Sequence, residues 1–305
     1  MLINQITAMA LMVLAGFVLA KMGLLTGQES RVITKALIYI IIPCSLIDAF
    51  DSEFDMGKLE AMGMAFALTL VVYAAFLTVA WVLEKRGFTP GEVCSVVYSN
   101  SGNLIIPIVT GVLGVEYVIY TCSFMLVQNL LTWTHAQMKL GGKADLTVKK
   151  VLTNSRILAI LGGFVMFLLG LHLPGPLDTA VSNLGGCIGP LFMMVTGVLL
   201  AEADLKAAFT SARTYLVILI RLILCPAFVL ILVLAVGQVW EHPAKNGVLM
   251  VMLLCSSGPP ASTLAQLAQM YENGEERYIS ALTALCTVLS VVTMPVMCIL
   301  YQALI

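Results

Sequence analysis

Long apolar segments alternate with short polar connections along the whole chain. A helix needs about 20 apolar residues to cross the hydrocarbon core of a bilayer. The sequence contains ten apolar segments of about that length and therefore predicts ten transmembrane helices, in an all-α polytopic membrane protein. The predicted spans are 3–22, 33–50, 60–83, 92–113, 117–138, 157–173, 179–200, 214–237, 246–270 and 279–303.

Two of the predicted spans are interrupted by polar and helix-breaking residues. The fourth contains the stretch 99–103 (SNSGN) and then Pro107, and the ninth contains 256–260 (SSGPP). An unpaired backbone N–H or C=O in lipid costs several kcal/mol, so non-helical backbone at membrane depth must be buried in protein or line a wet cavity. We therefore expect helices 4 and 9 to be broken crossover helices, an arrangement typical of the binding sites of secondary transporters.

An internal repeat relates the two halves of the chain. The stretch 15–19 (AGFVL) matches 162–166 (GGFVM), and Pro107 of the fourth span matches Pro260 of the ninth. Each half holds five predicted spans, an odd number, so the second half should enter the membrane the opposite way up. The predicted organisation is a first five-helix repeat at 1–138, a short cytoplasmic linker at 139–156 and a second, inverted five-helix repeat at 157–305.

The charged residues lie mainly between the spans and predict the orientation. Only 11% of the residues are charged, against about 25% in soluble domains. Lys and Arg concentrate on one side of the predicted membrane, which by the positive-inside rule is the cytoplasm, so both termini should face outward. No basic stripe suits nucleic acid. The cysteines and histidines show no metal-ligand spacing, so neither a metal nor a cofactor is expected.

The polar residues of the two interrupted spans are the candidate substrate ligands. Carboxamides can donate and accept hydrogen bonds, and the N-terminus of each second half-helix would add free N–H groups and a positive dipole end. The alternative is that these small polar residues only pack helices together in lipid. The candidate substrate-binding residues are Asn100, Ser101, Gly102, Asn103, Ser256 and Ser257, and the helix-breaking residues are Pro107, Pro259 and Pro260.

Three further residues have candidate roles inside the membrane. Arg221 is the one basic residue deep within a span, where a charge costs about 2.5 to 3.5 kcal/mol at the helix centre. It could pair within the protein, extend to the membrane surface or contact the substrate, and it is counted among the substrate-binding candidates. Asp48 ends the second span beside Asp51, Glu53 and Asp55, where it belongs to an outer acidic rim or, as the alternative, takes part in ion coupling. Gln128, in the fifth span, is the other candidate for ion coupling.

Neither interrupted span contains a carboxylate. Between Cys94 and Leu113, and between Asn246 and Met270, there is no Asp or Glu. A cation/proton antiporter would be expected to keep an ionisable acid at such a crossing. A small organic anion is therefore the favoured substrate.

The order of several short motifs resembles the auxin efflux carrier family, whose bacterial members include malate and malonate permeases. The motifs are 36–43 (ALIYIIIP), Asn100 placed seven residues before Pro107, and the run from 257–260 (SGPP) to 293–295 (TMP). The resemblance covers the whole chain and implies a scaffold domain, a transport domain and a carboxylate site where the fourth and ninth helices cross, with Asn100 in it. Plant auxin exporters have a long central loop, whereas 139–156 is short, which favours a bacterial-type carrier in the cytoplasmic membrane.

The sequence thus predicts a secondary transporter of small organic anions, such as malate, malonate or an auxin-like acid, that works by alternating access. The expected partners are the anion, the lipid bilayer and, for coupling, protons or Na⁺. A homodimer is a further option that the sequence does not decide. The alternatives are a sodium-coupled symporter of the bile-acid type and a membrane sensor that does not transport. An enzyme is not expected, because the spans contain no Ser/His, paired Asp or H-E-x-x-H arrangement.

Overall fold

The computed structural model describes residues 2–141, 155–202 and 212–305, and the regular elements in these residues are helices. Most of the predicted linker, and with it Lys143, Lys149 and Lys150, lies outside the described residues, as does Lys206. The helices are α1 (Leu2–Lys21), α2 (Gly27–Phe50), α3 (Met56–Lys85), α4 (Pro90–Val97), α5 (Ser101–Val112), α6 (118–139), α7 (Ser155–Leu169), α8 (Gly175–Gly186), α9 (Ile188–Glu202), α10 (Ala212–Val239), α11 (Lys245–Ser257), α12 (Thr263–Met270) and α13 (Glu276–Leu304).

The chain is an all-helical, multi-pass membrane protein. Within the described residues, five helical segments are long and apolar enough to cross a bilayer, and four apolar helices are shorter. The fourth and ninth predicted spans are each divided between two helices, α4 with α5 and α11 with α12. The five long segments are α2, α3, the run Gly175–Ala201 formed by α8 and α9, α10 and α13.

Three of the helices contain a wide, π-helical turn ahead of a proline. Proline has no N–H, and its ring displaces the carbonyl four residues earlier, so a helix accommodates it by widening locally. The turns are Leu37–Ile41 before Pro43, Ser101–Ile105 before Pro107 and Ile220–Leu224 before Pro226. Asn103 and Arg221, both singled out from the sequence, lie in the second and third of these turns.

Two helices that carry buried polar groups begin with the same capping motif. Thr26 caps α2 and Thr89 caps α4, each accepting a hydrogen bond from the N–H of a glutamate three residues later, whose side chain accepts one in return. Each capping box satisfies two backbone donors at the helix start and places a negative charge at the positive end of the dipole. The T-x-x-E spacing thus fixes where both helices begin.

The described residues form two compact units. The first lies within Met1–Gly63, Gly102–Cys122 and Thr147–Glu202, and the second lies within Met64–Ser101, Ser123–Leu146 and Ala203–Ile305. Each unit draws on both halves of the sequence, so the units do not follow the predicted repeat boundaries. The repeat boundaries therefore stay a prediction from sequence alone.

Glycines allow the closest helix packing in the first unit. α1 runs along α9, where a Cβ at Gly16 would overlap the carbonyl oxygen of Met194 and one at Gly197 would overlap that of Val13. α2 packs against α7 and α8 in the same way, with Gly163 against the ring of Phe50. Small residues let helix backbones approach closely in lipid, where no hydrophobic force drives helices together.

We expect Gly16→Ala to destabilise the protein by about 1–3 kcal/mol, because the added methyl group forces α1 away from α9. Gly162→Ala is the matched control, since a Cβ at Gly162 meets nothing within 4 Å, and it should be neutral or slightly stabilising. Thermal unfolding of both variants in detergent measures the difference. Equal unfolding temperatures for the two variants would contradict the close approach.

Candidate functional site

In the second unit the backbone leaves the helical conformation at both polar stretches, and the two stretches pair with each other. Residues 98–100 follow the end of α4, and residues 258–262 follow the end of α11. Ser99 lies opposite Pro260 in an antiparallel bridge, flanked by hydrogen bonds from Asn100 N to Pro259 O (2.8 Å) and from Ala261 N to Tyr98 O (2.9 Å). We call residues 98–100 and 258–261 the crossing.

Proline explains why the chain becomes extended after α11. Pro259 and Pro260 have no N–H to continue the helix, and the residue before a proline is disfavoured in the α conformation. Gly258 is accordingly extended, with φ −63° and ψ 154°, and Tyr98 is extended at φ −99° and ψ 118°. Outside the helices, the backbone N–H and C=O groups of each stretch no longer have helical partners. The two stretches bond to each other instead, so part of the backbone at the crossing is hydrogen-bonded without a helix.

Arg221 binds the ends of the two helices that enter the crossing. Its Nη1 donates to Val96 O at 2.9 Å, its Nη2 to Ser256 O at 2.8 Å and its Nε to Gly258 O at 2.9 Å. The residue is completely buried, at 0% exposure. Its guanidinium lies 5.8 Å from the centre of the Phe76 ring, within cation–π range. Arg221 therefore pairs inside the protein and does not extend to the membrane surface.

The counter-charge of Arg221 comes from backbone dipoles. The last carbonyls of a helix have no helical partner, and each helix end carries roughly half a negative charge. The three carbonyls lie at the C-terminal ends of α4 and α11, so two helix ends together balance about one positive charge. Among the described residues no carboxylate forms an ion pair with Arg221. In this structure the guanidinium has no exposed surface with which a substrate could make contact.

Gln128 of α6 holds the crossing from another side. Its Nε2 donates to Ser99 O at 2.7 Å, and its Oε1 accepts from Ser99 Oγ at 3.0 Å and from Tyr73 OH at 2.6 Å. All three residues are buried. This network fixes the position of Ser99, because each polar group in it has a partner. Its geometry gives Gln128 a supporting role, and ion coupling by Gln128 stays a prediction.

Asn100 is held at the crossing by its backbone and not by its side chain. The backbone N–H donates to Pro259 O, while the side chain is partly exposed. Within residues 2–141, 155–202 and 212–305, the Asn100 carboxamide makes no hydrogen bond. Neighbouring Ser101 is buried, and its hydroxyl likewise lacks a partner in that part of the chain. The crossing thus presents a positioned amide with two donors and an acceptor.

The other candidates from the sequence have different surroundings. The hydroxyls of Ser256 and Ser257 both donate to Leu253 O within α11, at 2.8 and 2.6 Å, and both residues are buried. Gly102 and Pro107 lie in α5, in the first unit. Asp48 is half-buried near the end of α2, in the first unit as well. Substrate or ion binding by these residues stays a prediction.

Asn103 has a partner that the sequence interpretation missed. In the first unit, Arg156 Nη2 donates to Asn103 Oδ1 at 2.8 Å. Arg156 stands at the start of α7, where a basic residue before an apolar helix resembles an ordinary cytoplasmic flank. Nothing in the local pattern indicates that its side chain reaches a residue 53 positions earlier in the chain.

A family model described as "membrane transport protein" matches residues 1–147 and 144–298, which together cover nearly the whole chain. A search of curated proteins gives no match.

Proposed function

This chain belongs to the auxin efflux carrier family of membrane transport proteins, and we propose that it carries small organic anions across the bilayer by alternating access. Members of the family are transporters and not enzymes. The proposed cargo is a carboxylate such as malate, malonate or an auxin-like acid, and the proposed binding position is at the crossing.

The proposal includes the architecture predicted from sequence. The α4–α5 and α11–α12 pairs would be the halves of crossover helices 4 and 9, in two inverted five-helix repeats. The equivalent places of the two interruptions within the halves of the sequence support this arrangement. Both termini would face outward, at the cytoplasmic membrane of a bacterium, as the distribution of Lys and Arg indicates.

The Asn100 carboxamide is the observation that carries the proposal. An amide at membrane depth that makes no hydrogen bond to the described protein is costly unless water or a ligand pairs with it. Its backbone is held by Pro259, so the side chain is presented at a fixed place. A pre-positioned polar group at a break in two helices is what a substrate-binding site requires.

The side chains of the crossing favour an anionic cargo. Neither stretch of the crossing contains an Asp or Glu, and the buried charge of Arg221 is already balanced by the helix ends. An organic or alkali cation would need a carboxylate or several oxygen ligands to replace its water. An anion needs donors, which amide and backbone N–H groups supply without a fixed charge.

The test is uptake of radiolabelled malate, malonate and indole-3-acetate into proteoliposomes of the purified protein, with protein-free liposomes as control. We expect saturable uptake of at least one anion. Uptake that requires a Na⁺ gradient would favour the bile-acid type of symporter, and uptake driven by a proton gradient would identify protons as the coupling ion. Thermal stabilisation by an anion without any flux would favour the sensor.

A further inference from the structure

We propose that His135 binds the proton that couples anion transport to a proton gradient, through its contact with Tyr98 of the crossing. This inference rests on the proposed function, because it assumes that the crossing carries an organic anion. It adds a coupling residue to the two, Asp48 and Gln128, that the sequence suggested.

His135 of α6 is connected to the crossing through Tyr98. Its Nδ1 lies 2.9 Å from the hydroxyl oxygen of Tyr98, and the centres of the two rings are 6.1 Å apart. The carbonyl of Tyr98 accepts the hydrogen bond from Ala261 N, which joins the two stretches of the crossing. The imidazole thus contacts the crossing directly, in the same unit and close in sequence to Asn100.

The contacts of the Tyr98 hydroxyl determine which ring nitrogen carries a hydrogen. The hydroxyl donates to the carbonyl oxygen of Leu131 at 3.1 Å, and a carbonyl can only accept. A hydroxyl has one hydrogen, so the bond between the hydroxyl and His135 requires a hydrogen on Nδ1. In the neutral imidazole Nε2 is then the bare nitrogen, and a second proton can bind there without breaking either bond.

The surroundings of Nε2 fit a site for an exchanging proton. Within residues 2–141, 155–202 and 212–305, Nε2 makes no hydrogen bond, and His135 is only partly buried. His135 lies in a wide, π-helical turn, Thr132–Ala136, although α6 contains no proline. Such turns are frequent at functional sites, and ionisable side chains inside membrane spans commonly form proton or ion pathways.

The charged groups near His135 compensate each other. Lys139 follows one turn later on α6, and its Nζ lies 2.8 Å from a carboxylate oxygen of Glu84 on α3. On the side of α4 the titratable groups are Tyr98 and Cys94, which are ordinarily uncharged near neutral pH. The carboxylate of Glu84 is thus already paired, and the charge of His135 can follow the pH and the cargo. The partly exposed ion pair also places water within reach of this end of α6.

His135 can change its charge where the other side chains that bond to the crossing cannot. In the described residues these others are Arg221, which stays protonated, and Gln128, which does not titrate. An imidazolium attracts an anion at the crossing, and the bound anion favours the imidazolium to the same extent, because coupling between two sites is reciprocal. Nε2 would take its proton from water on one side of the membrane and return it to water on the other.

A purely structural role for His135 gives a different expectation. Asparagine can place an N–H at the position of Nδ1 and keep the bond to Tyr98, but it cannot take up a proton. If His135 only holds Tyr98 in place, His135→Asn should behave as wild type. If His135 binds the coupling proton, the variant should carry the anion without using the proton gradient.

The experiment measures accumulation of radiolabelled malate and malonate in proteoliposomes of the full chain, with the membrane potential held at zero. An outside pH of about 6 and an inside pH of about 7 bracket the ordinary pKa of histidine, about 6.5. We expect wild type to accumulate at least one of the anions up to about tenfold, the size of the proton ratio, for one proton per anion. His135→Asn and His135→Gln should exchange the anion at equal pH but no longer accumulate it.

The pH profile of exchange and a matched histidine variant complete the test. At equal pH on both sides, exchange by wild type should rise as the pH falls through the histidine range, and exchange by both amide variants should be flat. His172→Asn makes the same substitution at an exposed histidine of the first unit. It should accumulate the anion and depend on pH as wild type does.

Proton-driven accumulation by either amide variant at the level of wild type would overturn the role of His135. Transport by wild type that does not respond to the proton gradient would also overturn it, and in both cases the proposed function stands. Loss of exchange together with accumulation in both amide variants would assign His135 to the structure of the crossing and not to coupling. If wild type neither binds nor transports malate, malonate or indole-3-acetate, this inference and the proposed function both fail.

Discussion

Replacing Arg221 with methionine should destabilise the protein by about 3–5 kcal/mol, the usual cost of removing one partner from a buried charged contact. Methionine fills a similar volume but donates no hydrogen bond, so the carbonyls of Val96, Ser256 and Gly258 would lose their donor at a fully buried position. Two helix ends of like partial charge would also face each other without a counter-charge. Unfolding in detergent micelles, followed by tryptophan fluorescence, measures the loss.

Two further variants distinguish the effect of the positive charge on stability from the effect of the hydrogen-bond geometry. Arg221→Lys keeps the charge, but one ammonium group cannot reproduce a planar fork that reaches three carbonyls, so its stability should be intermediate. Arg213→Met makes the same change at an exposed arginine of the same helix and should cost less than about 1 kcal/mol. If Arg221→Met unfolds under the same conditions as wild type, the two helix ends do not depend on the guanidinium.

Asn100→Ala should reduce anion uptake by about 10–100-fold, which corresponds to the loss of one hydrogen bond to a charged group. Its effect on stability should be small, because the described structure gives the side chain no hydrogen bond to lose and the backbone bond to Pro259 remains. Asn100→Asp has the same shape with a negative charge. For an anionic cargo it should reduce uptake further than alanine, because like charges repel strongly away from water.

Asn183→Ala serves as control, since it makes the same substitution at an exposed position of α8. Uptake and unfolding temperature are measured on the same preparations, so that a loss of flux in a folded variant can be assigned to binding. Wild-type uptake by Asn100→Ala would remove Asn100 from the site. Faster uptake by Asn100→Asp would indicate a cationic cargo.

The helical class and the places where two helices stop could be predicted from the sequence, because both depend on local rules. A run of about 20 apolar residues has few alternatives to a membrane helix. The stretch 256–260 combines glycine with two prolines, and a helix cannot continue through them. The membership of the family was also predicted correctly, from the order of motifs along the whole chain.

The hydrogen-bond partners of the buried polar side chains could not be predicted, because these bonds join residues that are far apart in the sequence. Arg221 was recognised as unusual, but its carbonyl partners belong to two other helices. Gln128 was noted as polar, yet its bonds to Ser99 and Tyr73 depend on how α6 packs. Arg156 was missed altogether, because a cation at the start of an apolar helix is normally a flanking residue.

The charge balance of Arg221 also determines the order in which parts of the chain can fold during synthesis. α4 ends near Val96, but the guanidinium that binds its last carbonyls is synthesised only at position 221, and the second helix end only at 258. At about 5–20 residues per second, on the order of ten seconds pass between the synthesis of the end of α4 and the synthesis of Arg221. Until then the end of α4 must stay in contact with water or with the insertion machinery. The crossing is thus a late step of biogenesis, and a nascent chain halted before α10 cannot form it.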